Sequence, residues 1–282
     1  MQIGPYTLHE IHAGRLSLDG GAMFGIVPKP LWERRIPADG RNRIPLAMRC
    51  LLLEGDGRLV LVDNGVGDKY DAKFADIYAV DREARELHRS LRDAGFSAED
   101  ITDVVLTHLH FDHCGGSTVR GGDGRLRTAF PNATYHVQRA HWEWAHASPR
   151  EQASFFAENM EPLEQSGQLR LLDGPGPLFP GVETLVVNGH TRGQQLVKVS
   201  DDDRTLLFAA DLLPTAAHVP LLWVMAYDVA PLETLEEKER LLSLAAEEGW
   251  TVLFEHDTET ATARIARTEK GFEAVDRAPQ LD

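Results

Sequence analysis

The feature that most constrains this chain is a cluster of potential metal ligands directly after a short apolar run. Residues 104–116 read VVLTHLHFDHCGG, and within them His108, His110, Asp112 and His113 fall close together. Side chains two residues apart on extended backbone point the same way, so His108 and His110 can share one ion. A His-rich surface turn is the alternative, but nothing structural requires four such side chains at a strand end. The run therefore predicts a metal site.

The ligand types narrow the choice of metal. Neutral imidazole and carboxylate suit zinc, iron, cobalt or manganese, whereas closed structural zinc sites commonly use several thiolates. The chain has two cysteines, Cys50 and Cys114, both in stretches expected to be buried. Two cysteines are too few for a disulfide framework, which favours reduced thiols in the cytoplasm. We expect divalent transition metal ions, with zinc as the first choice.

Composition and charge restrict the partners. A formal net charge of −15 repels phosphate backbones and anionic lipid surfaces. The start of the chain, MQIGPYTLHEIHAG, lacks the basic and apolar regions of a signal peptide, and no long apolar run follows it. We expect a small-molecule substrate, with neither nucleic acid nor a membrane as partner. The oligomeric state stays open, with a homodimer as one alternative.

Apolar periodicity and turn residues predict strands and helices without an intervening linker, and therefore a single domain over residues 1–282. Near the N-terminus, Tyr6–Ile11 and Arg15–Leu18 are expected to form a hairpin around Gly14. Predicted helices are Asp81–Ala94, Arg139–His146, Glu151–Gln165 and Glu233–Glu247. Predicted strands are Leu46–Leu53, Arg58–Val62, Ala133–Val137, Leu169–Leu172, Glu183–Val187, Leu196–Val199, Thr205–Ala209 and Thr251–Phe254, with Gly174–Pro180 as a turn and 260–275 as a helix or a hairpin.

Several of the apolar strands are followed by a potential ligand at the same, carboxyl end. The residues concerned are Asp63 after LVLV, His108 and His110 after VVLT, His190 after LVVNG, Asp211 after LLFAA, and His256 after VLF. A sheet that presents side chains at one end of its strands can gather distant residues into one rigid site. Because the alternating helices cannot all pack on one face, we expect two sheets with helices outside.

The number of ligands fits a binuclear centre. His108, His110 and His190 can form a first set of ligands, and Asp112, His113 and His256 a second, with Asp211 as a bridge between them. Two ions about 3.5–4 Å apart, with a bridging hydroxide, would retain positive charge for an anionic transition state.

The complete pattern resembles the metallo-β-lactamase superfamily. It consists of HxHxDH, then a His in GHT, an Asp and a late His, in order from Asp63 to His256. The resemblance implies an α/β protein with a four-layer αββα sandwich and metal-dependent hydrolysis. Asp211, rather than a Cys, occupies the bridging position, unlike the zinc β-lactamases that use a thiolate ligand there.

A narrower resemblance rests on DGGAMFGIVPKPLW, followed by RIPLAMRCLLLE and THLHFDHCGG. These segments look like quorum-quenching N-acyl-homoserine lactonases and methyl-parathion-hydrolase-like enzymes. The resemblance implies attack of a metal-bridging hydroxide on a lactone carbonyl, with Asp112 or Asp211 moving the proton. A phosphotriesterase or arylesterase is the alternative, and an iron-dependent oxidoreductase is a more distant one.

The chain departs from those lactonases at one position. Pro214 stands where they carry a catalytic Tyr, three residues after the bridging Asp211. Spacing alone leaves His218 and Tyr227 as candidates to hydrogen-bond the substrate in its place.

Two further sets of residues are expected around the site. Asp63 is expected to orient a ligand His, or only to shape its turn, and Thr191 to act as a hydroxyl behind a ligand. Met23, Phe24 and Trp32 lie in a Gly- and Pro-rich segment too apolar for a free loop, and Trp223, Met225 and Tyr227 alternate as on one strand face. We expect these two stretches to form an apolar trough for an acyl chain, with plain core as the alternative for the second.

Overall fold

The structure is a computed structural model that describes residues 1–81 and 86–281. Its strands are β1 (Gln2–Ile3), β2 (Tyr6–Asp19), β3 (Arg43–Gly55), β4 (Arg58–Val62), β5 (Asp103–Val105), β6 (Thr118–Arg120), β7 (Leu126–Thr128), β8 (Thr134–Gln138), β9 (Leu169–Leu172), β10 (Gly176–Phe179), β11 (Val182–Val187), β12 (Gln194–Ser200), β13 (Thr205–Phe208), β14 (Thr251–Leu253), β15 (Thr262–Thr268) and β16 (Gly271–Ala278). Its helices are α1 (Gly20–Phe24), α2 (Lys29–Trp32), α3 (Ala72–Ile77), α4 (Glu86–Asp93), α5 (Phe111–Cys114), α6 (Arg139–Ala147), α7 (Ala157–Gln165) and α8 (Pro231–Glu248).

Two large sheets contain most of these strands. The first has the order β1-β2-β3-β4-β5-β8-β9, and the second runs β10 to β16 in chain order. Strands β4, β5, β8 and β9 are parallel, as are β13 and β14, whereas the other pairs in the two sheets are antiparallel. The parallel pairs β4–β5 and β13–β14 have their carboxyl ends at one edge of each sheet, and β11, antiparallel to β12 as β13 is, ends at the same edge as β13; the predicted ligands follow these strands.

The two sheets face each other and carry helices on their outer sides. On β4, Leu59 and Leu61 belong to the buried apolar cluster that also contains residues of α4, α6 and α7, while Val60 and Val62 belong to the cluster that contains strands of the second sheet. Because successive side chains of a strand point to opposite faces, a strand buried on both faces needs this continuous apolar sequence. Helix α8 covers the second sheet at β15. The order of layers is helix, sheet, sheet, helix, as expected.

Most predicted elements are confirmed within a few residues, including α6, α8 and strands β4 and β9. Pro231 at the first turn and Gly249 with φ of 67° after the last turn explain the bounds of α8. Residues 82–85 of the predicted Asp81–Ala94 helix lie outside the described residues, and α4 forms its second part. The 260–275 segment is a hairpin, β15 and β16.

Three predictions about local structure are wrong. The expected N-terminal hairpin is one long strand, β2, which pairs with β3 on both sides of a bulge at Gly14. The Gly174–Pro180 turn contains strand β10, and the predicted Glu151–Gln165 helix begins only at Ala157. In each case, pairing with a neighbouring strand or a folded loop overrides the local turn or helix signal.

The stretch around Trp223, Met225 and Tyr227 is irregular rather than a strand. It belongs to the connection between Asp211 and α8, and the amide of Ala226 donates to the carbonyl of Ala22. The expected shared strand face is therefore absent from this connection. Across the described part of the chain, the helices are too short or too polar to span a bilayer.

Candidate metal centre

Two groups of buried ligand side chains converge at the edge of the sheets. The first contains His108, His110, His190 and Asp211, and the second contains Asp112, His113 and His256. Nδ1 of His110 lies 3.0 Å from Nε2 of His108 and 3.2 Å from Nε2 of His190. In the second group, the Nε2 atoms of His113 and His256 are 3.1 Å apart. These are the two sets of residues that the sequence predicts, and the structure brings them together.

Asp211 lies between the two groups. Its Oδ2 is 3.2 Å from Nε2 of His190, in the first group. Its Oδ1 is 3.1 Å from Nε2 of His256 and 3.6 Å from Nε2 of His113, in the second. Among the described residues, the buried Oδ1 atom has no well-formed hydrogen bond. One carboxylate oxygen thus faces each group, which is the arrangement that a bridging ligand requires.

Outer acceptors orient the imidazoles of the first group. His108 Nδ1 donates to the hydroxyl of Thr107 (3.1 Å), His110 Nε2 to Glu151 (3.0 Å) and His190 Nδ1 to Asp228 (3.0 Å). An N–H held from outside leaves the other ring nitrogen with its lone pair directed into the centre.

The second group is held in the same way. His256 Nδ1 donates to the carbonyl of Ala47 at 2.7 Å. His113 Nδ1 lies 3.1 Å from both Asp63 Oδ2 and Glu255 Oε2. Asp63 therefore contacts a ligand from behind, as expected, and its carboxylate also accepts from the amide and hydroxyl of Thr107. Asp63 thus supports both ligand groups, through Thr107 behind His108 and through His113 directly.

Burial and charge set the protonation of this centre. Burial lowers the pKa of His108 far below its usual range, and the neighbouring histidines lower it further. Burial also lowers the pKa of His256, but Asp211 outweighs this effect and raises that pKa to about 9. The same imidazoles keep the pKa of Asp211 well below its ordinary value, against the effect of burial. Such opposed shifts in one cleft are typical of functional sites.

The donor set fits divalent transition metals. It combines imidazole nitrogens and carboxylate oxygens, with outer contacts to most of the rings and, among the described residues, an Asp211 oxygen without a well-formed hydrogen bond at the centre. Cys114 lies next to His113, but its thiol donates to the carbonyl of Leu109 and is not in either group. The clusters are thus suited to binding divalent metal ions through nitrogen and oxygen.

Close backbone packing explains the two glycines after the HxHxDH run. A Cβ on Gly115 would lie 2.3 Å from the carbonyl oxygen of Val66, and a Cβ on Gly116 would lie 2.2 Å from that of Asn64. Side chains at these positions would push the segment after β4 away from α5. Ala210, directly before Asp211, has φ of 41°, a strained value for a residue with a side chain.

A cleft of about 70 Å³ opens onto both groups. Besides ligand side chains, its wall consists mainly of neutral residues: Leu18, Met23, Tyr78, Phe111, Ser154 and Tyr227. Of the residues predicted to contact substrate, Met23 and Tyr227 therefore lie at the cleft. Tyr78 and Phe111 were not predicted to line the cleft. Phe111 had a sequence signal, because it lies within the HxHxDH run, whereas Tyr78 lies outside any motif.

The remaining predicted pocket residues do not line the cleft: Phe24, Trp32 and Met225 are buried in the core, and Trp223 is partly buried against it. Phe24 is fully buried between the rings of Trp32 (5.4 Å) and His218 (4.6 Å), with Trp223 at its edge (5.7 Å). Met225 is also buried. The prediction of an open apolar trough is wrong at these positions, because the two stretches fill the space with their own side chains.

His218 does not face the cleft either. Its Nδ1 contacts the hydroxyl of Thr215 (2.8 Å), and its Nε2 donates to the carbonyl of Met23 (2.8 Å). Burial lowers its pKa to about 3. With both ring nitrogens engaged, His218 joins two loops, and the hypothesis that it hydrogen-bonds substrate loses its geometric basis.

Apart from Asp63, sequence reasoning missed the acidic residues that orient ligands. Glu151 contacts His110, and it also accepts from Trp144 Nε1 (2.5 Å) and the hydroxyl of Ser148 (2.9 Å). Asp228 and Glu255 hold His190 and His113. Glu255 had a sequence signal, since it precedes His256, but Glu151 and Asp228 lie far from their partners in sequence. Thr191 lies near Glu151 without a well-aligned hydrogen bond in the described structure.

Comparison with known proteins decides the family. The pattern of the metallo-beta-lactamase superfamily matches residues 45–256, which is most of the chain. The chain belongs to the metallo-β-lactamase superfamily. Within this superfamily it is similar to a probable metallo-hydrolase of Mycobacterium tuberculosis, with 27% identity over 219 residues, 70% of this chain and 68% of that protein. It is also similar to the N-acyl homoserine lactonase AiiA of Bacillus thuringiensis subsp. kurstaki, with 25% identity over 267 residues, 89% of this chain and 93% of that protein.

A solved structure supports the fold. A probable metal-dependent hydrolase from Staphylococcus aureus superposes with a TM-score of 0.90 at 29% identity, and the match covers 100% of both chains. The metallo-β-lactamase fold and the identification as a metallo-hydrolase, both expected from the sequence, are confirmed. Lactonases are among the relatives, as the narrower resemblance implied.

Proposed function

We propose that this protein is a binuclear hydrolase that opens lactones, with N-acyl-homoserine lactones as the first candidates and quorum quenching as the role. The observation that carries the binuclear assignment is the position of Asp211, whose two oxygens face two separate ligand groups. A mononuclear enzyme would not need a second convergent set of Asp112, His113 and His256.

Two observations support a lactone as substrate. The relative AiiA, which matches over most of both chains, carries the name N-acyl homoserine lactonase. Apart from the ligands, the cleft wall is uncharged, with Leu18, Met23 and Phe111 as apolar contacts and two tyrosine hydroxyls. Such a wall fits a neutral ester with an apolar substituent better than an anionic one.

The roles of the residues follow from their places. His108, His110 and His190 would hold one ion, Asp112, His113 and His256 the other, and Asp211 both. Bound there, two divalent ions would supply a water ionised near neutral pH and positive charge for developing negative oxygens. Asp112 and Asp211 lie at the cleft and can accept and return a proton. Tyr227 can donate a hydrogen bond to the substrate carbonyl or the leaving oxygen.

We also propose zinc as the metal and the cytoplasm as the location. Zinc suits imidazole and carboxylate ligands and lowers the pKa of a bound water to about 7. Cys50 and Cys114 are both free and buried, as expected of thiols in a reducing compartment.

The first prediction tests the binuclear centre. Purified, metal-replete protein should hold about two transition metal ions per chain, measured by elemental analysis. Asp211→Asn should lose at least one of these ions together with lactone hydrolysis, because a neutral amide has only one acceptor oxygen and cannot bind a cation on each side. Asp173→Asn is the matched control, since Asp173 pairs with Arg139 at the surface. A single ion in wild-type protein would refute the binuclear assignment.

A substrate panel tests the chemistry. Zinc-loaded protein should open N-acyl-homoserine lactones with a higher kcat/KM than aryl esters or aryl phosphotriesters. If the protein binds two ions but prefers phosphotriesters, the binuclear assignment stands and the proposed activity changes from lactonase to phosphotriesterase. Activity restricted to iron-loaded protein with an oxidised product would exclude hydrolysis.

A further inference from the structure

Arg49 is a buried arginine that reaches from the first sheet to the second. It lies on β3, and only 3% of its surface is exposed. Its Nη1 donates to the carbonyls of Phe254 (2.6 Å) and Asp257 (2.9 Å), and its Nε donates to Glu10 (2.7 Å). Burying a guanidinium costs several kcal/mol unless its donors are paired, so these contacts compensate a substantial penalty.

The two carbonyls bracket a ligand. Phe254 and Asp257 stand on either side of Glu255 and His256, in the turn that follows β14. The backbone of β3 grips the same turn, because the amide of Arg49 donates to the carbonyl of Glu255 (3.0 Å).

A second pair of contacts continues this grip. The amide of Ala47 donates to the carbonyl of His256 (3.0 Å), and His256 Nδ1 donates to the carbonyl of Ala47 (2.7 Å). Together with the side chain of Arg49, these bonds fix the turn and the direction of the His256 ring.

We propose that Arg49 is a positioning residue for the second ligand group, holding the 254–257 turn so that His256 points at His113 and Asp112. The proposal rests on the binuclear centre proposed above. Without the guanidinium, the carbonyls of Phe254 and Asp257 would be buried without these donors, and the turn would relax to regain hydrogen bonds. His256 would move with it.

The effect is expected to be selective. The first ligand group is oriented by Glu151 and Asp228, on other loops. A purely structural role of Arg49 would act through Glu10, whose other oxygen accepts from the amide of Leu281 and so holds the C-terminal segment. Loss of that ion pair would lower the stability of the whole protein and would affect the affinities of the two metal sites equally.

The experiment measures the affinity of each ion by chelator competition in wild type, Arg49→Met and Arg49→Lys. Arg49→Met should weaken the second ion by about 10–100-fold, the usual cost of removing an outer support of a ligand, and leave the first ion within about threefold. Arg49→Lys should show a smaller loss, because one ammonium can still donate to at least one of the carbonyls.

Two controls separate positioning from stability. Glu10→Gln removes the charge opposite Arg49 and should bind both ions as the wild type does. Arg58→Met removes another β-sheet arginine, which pairs with Asp103 away from the ligands, and should also retain both. Equal weakening of both ions in Arg49→Met, or weakening of the second ion in Glu10→Gln, would overturn the proposal.

A second readout does not require metal. In the chelated full-length protein, the Nδ1 proton of His256 should exchange slowly with solvent because it is bonded to Ala47. NMR should show faster exchange in both Arg49 variants, more so in Arg49→Met, while the Nδ1 proton of His190 is unchanged. Unchanged exchange at His256 would refute the positioning role. One ion in the wild type would instead refute the binuclear centre, and this NMR result would still decide the role of Arg49.

Discussion

At the scale of single residues, the open question is which group replaces the tyrosine that Pro214 displaces. Both ring nitrogens of His218 already have partners, Thr215 and Met23. Because its pKa is lowered to about 3, the ring is also neutral at neutral pH and cannot act as a general acid. Tyr227 is 37% exposed and lines the cleft with Asp112 and Asp211. Burial, Tyr78 and the acidic residues raise the pKa of Tyr227, so its phenol stays protonated and can donate.

The residue-scale prediction is that Tyr227→Phe lowers kcat for lactone opening by at least about tenfold, with KM changed much less. The reason is that a hydrogen bond to developing negative charge strengthens in the transition state. Metal content should stay at the wild-type value, which elemental analysis can check. Tyr78→Phe, at the same cleft, is the matched comparison. If Tyr78→Phe alone slows kcat, the donor is Tyr78 rather than Tyr227.

At the scale of elements, the segment containing α1 and α2 differs most from its sequence-based interpretation. Phe24 forms a stack with Trp32 and His218 and is edge-on to Trp223, while the guanidinium of Arg35 covers the Trp223 ring at 4.1 Å. These contacts join the 19–32 segment to the connection before α8. Met23 and Tyr227 from the joined loops line the cleft, whereas Phe24 does not.

This packing predicts that Phe24→Ala acts on stability. Removing a fully buried Phe should lower the free energy of unfolding by about 3–5 kcal/mol, measured by denaturant unfolding. The dependence of kcat/KM on acyl length should keep its wild-type slope in the folded variant. A flattened slope with unchanged stability would restore the acyl trough. Met23→Ala is the contrasting variant, because Met23 touches the cleft.

The sequence predicted elements and ligands better than loops, for physical reasons. The HxHxDH run, His190, Asp211 and His256 each follow an apolar strand, so local pattern and strand direction together place them: β4 and β5 are parallel, and β11, β13 and β14 run in the same direction in the second sheet. The course of the 213–230 connection depends on contacts with residues almost two hundred positions away, such as His218 with Met23. Alternating apolar residues there have the sequence pattern of a strand, although no strand among residues 1–81 and 86–281 pairs with them. The acceptors Glu151 and Asp228 depend on the same long-range folding.

At the scale of the whole molecule, the net charge of −15 bears on substrate choice. Two dications, if held at the proposed centre, would attract anions at short range, but the surrounding acidic surface would repel them during approach. At about 10 mM salt the Debye length is about 30 Å, comparable with the size of the protein, so the charge of the whole molecule acts on approach. A neutral lactone is indifferent to this field, whereas an anionic ester is not.

The whole-molecule prediction compares a neutral N-acyl lactone with an ester of the same acyl chain that carries a carboxylate. Raising the salt from about 10 mM to about 300 mM should increase kcat/KM for the anionic ester by roughly twofold to fivefold, because screening removes the repulsion. The value for the lactone should change little, and it serves as the control for salt effects on the enzyme itself. A fall in kcat/KM for the anionic ester would mean that the positive centre dominates its approach. In that case the acidic surface would no longer argue for neutral substrates, and the uncharged cleft wall would remain as the structural basis for the preference.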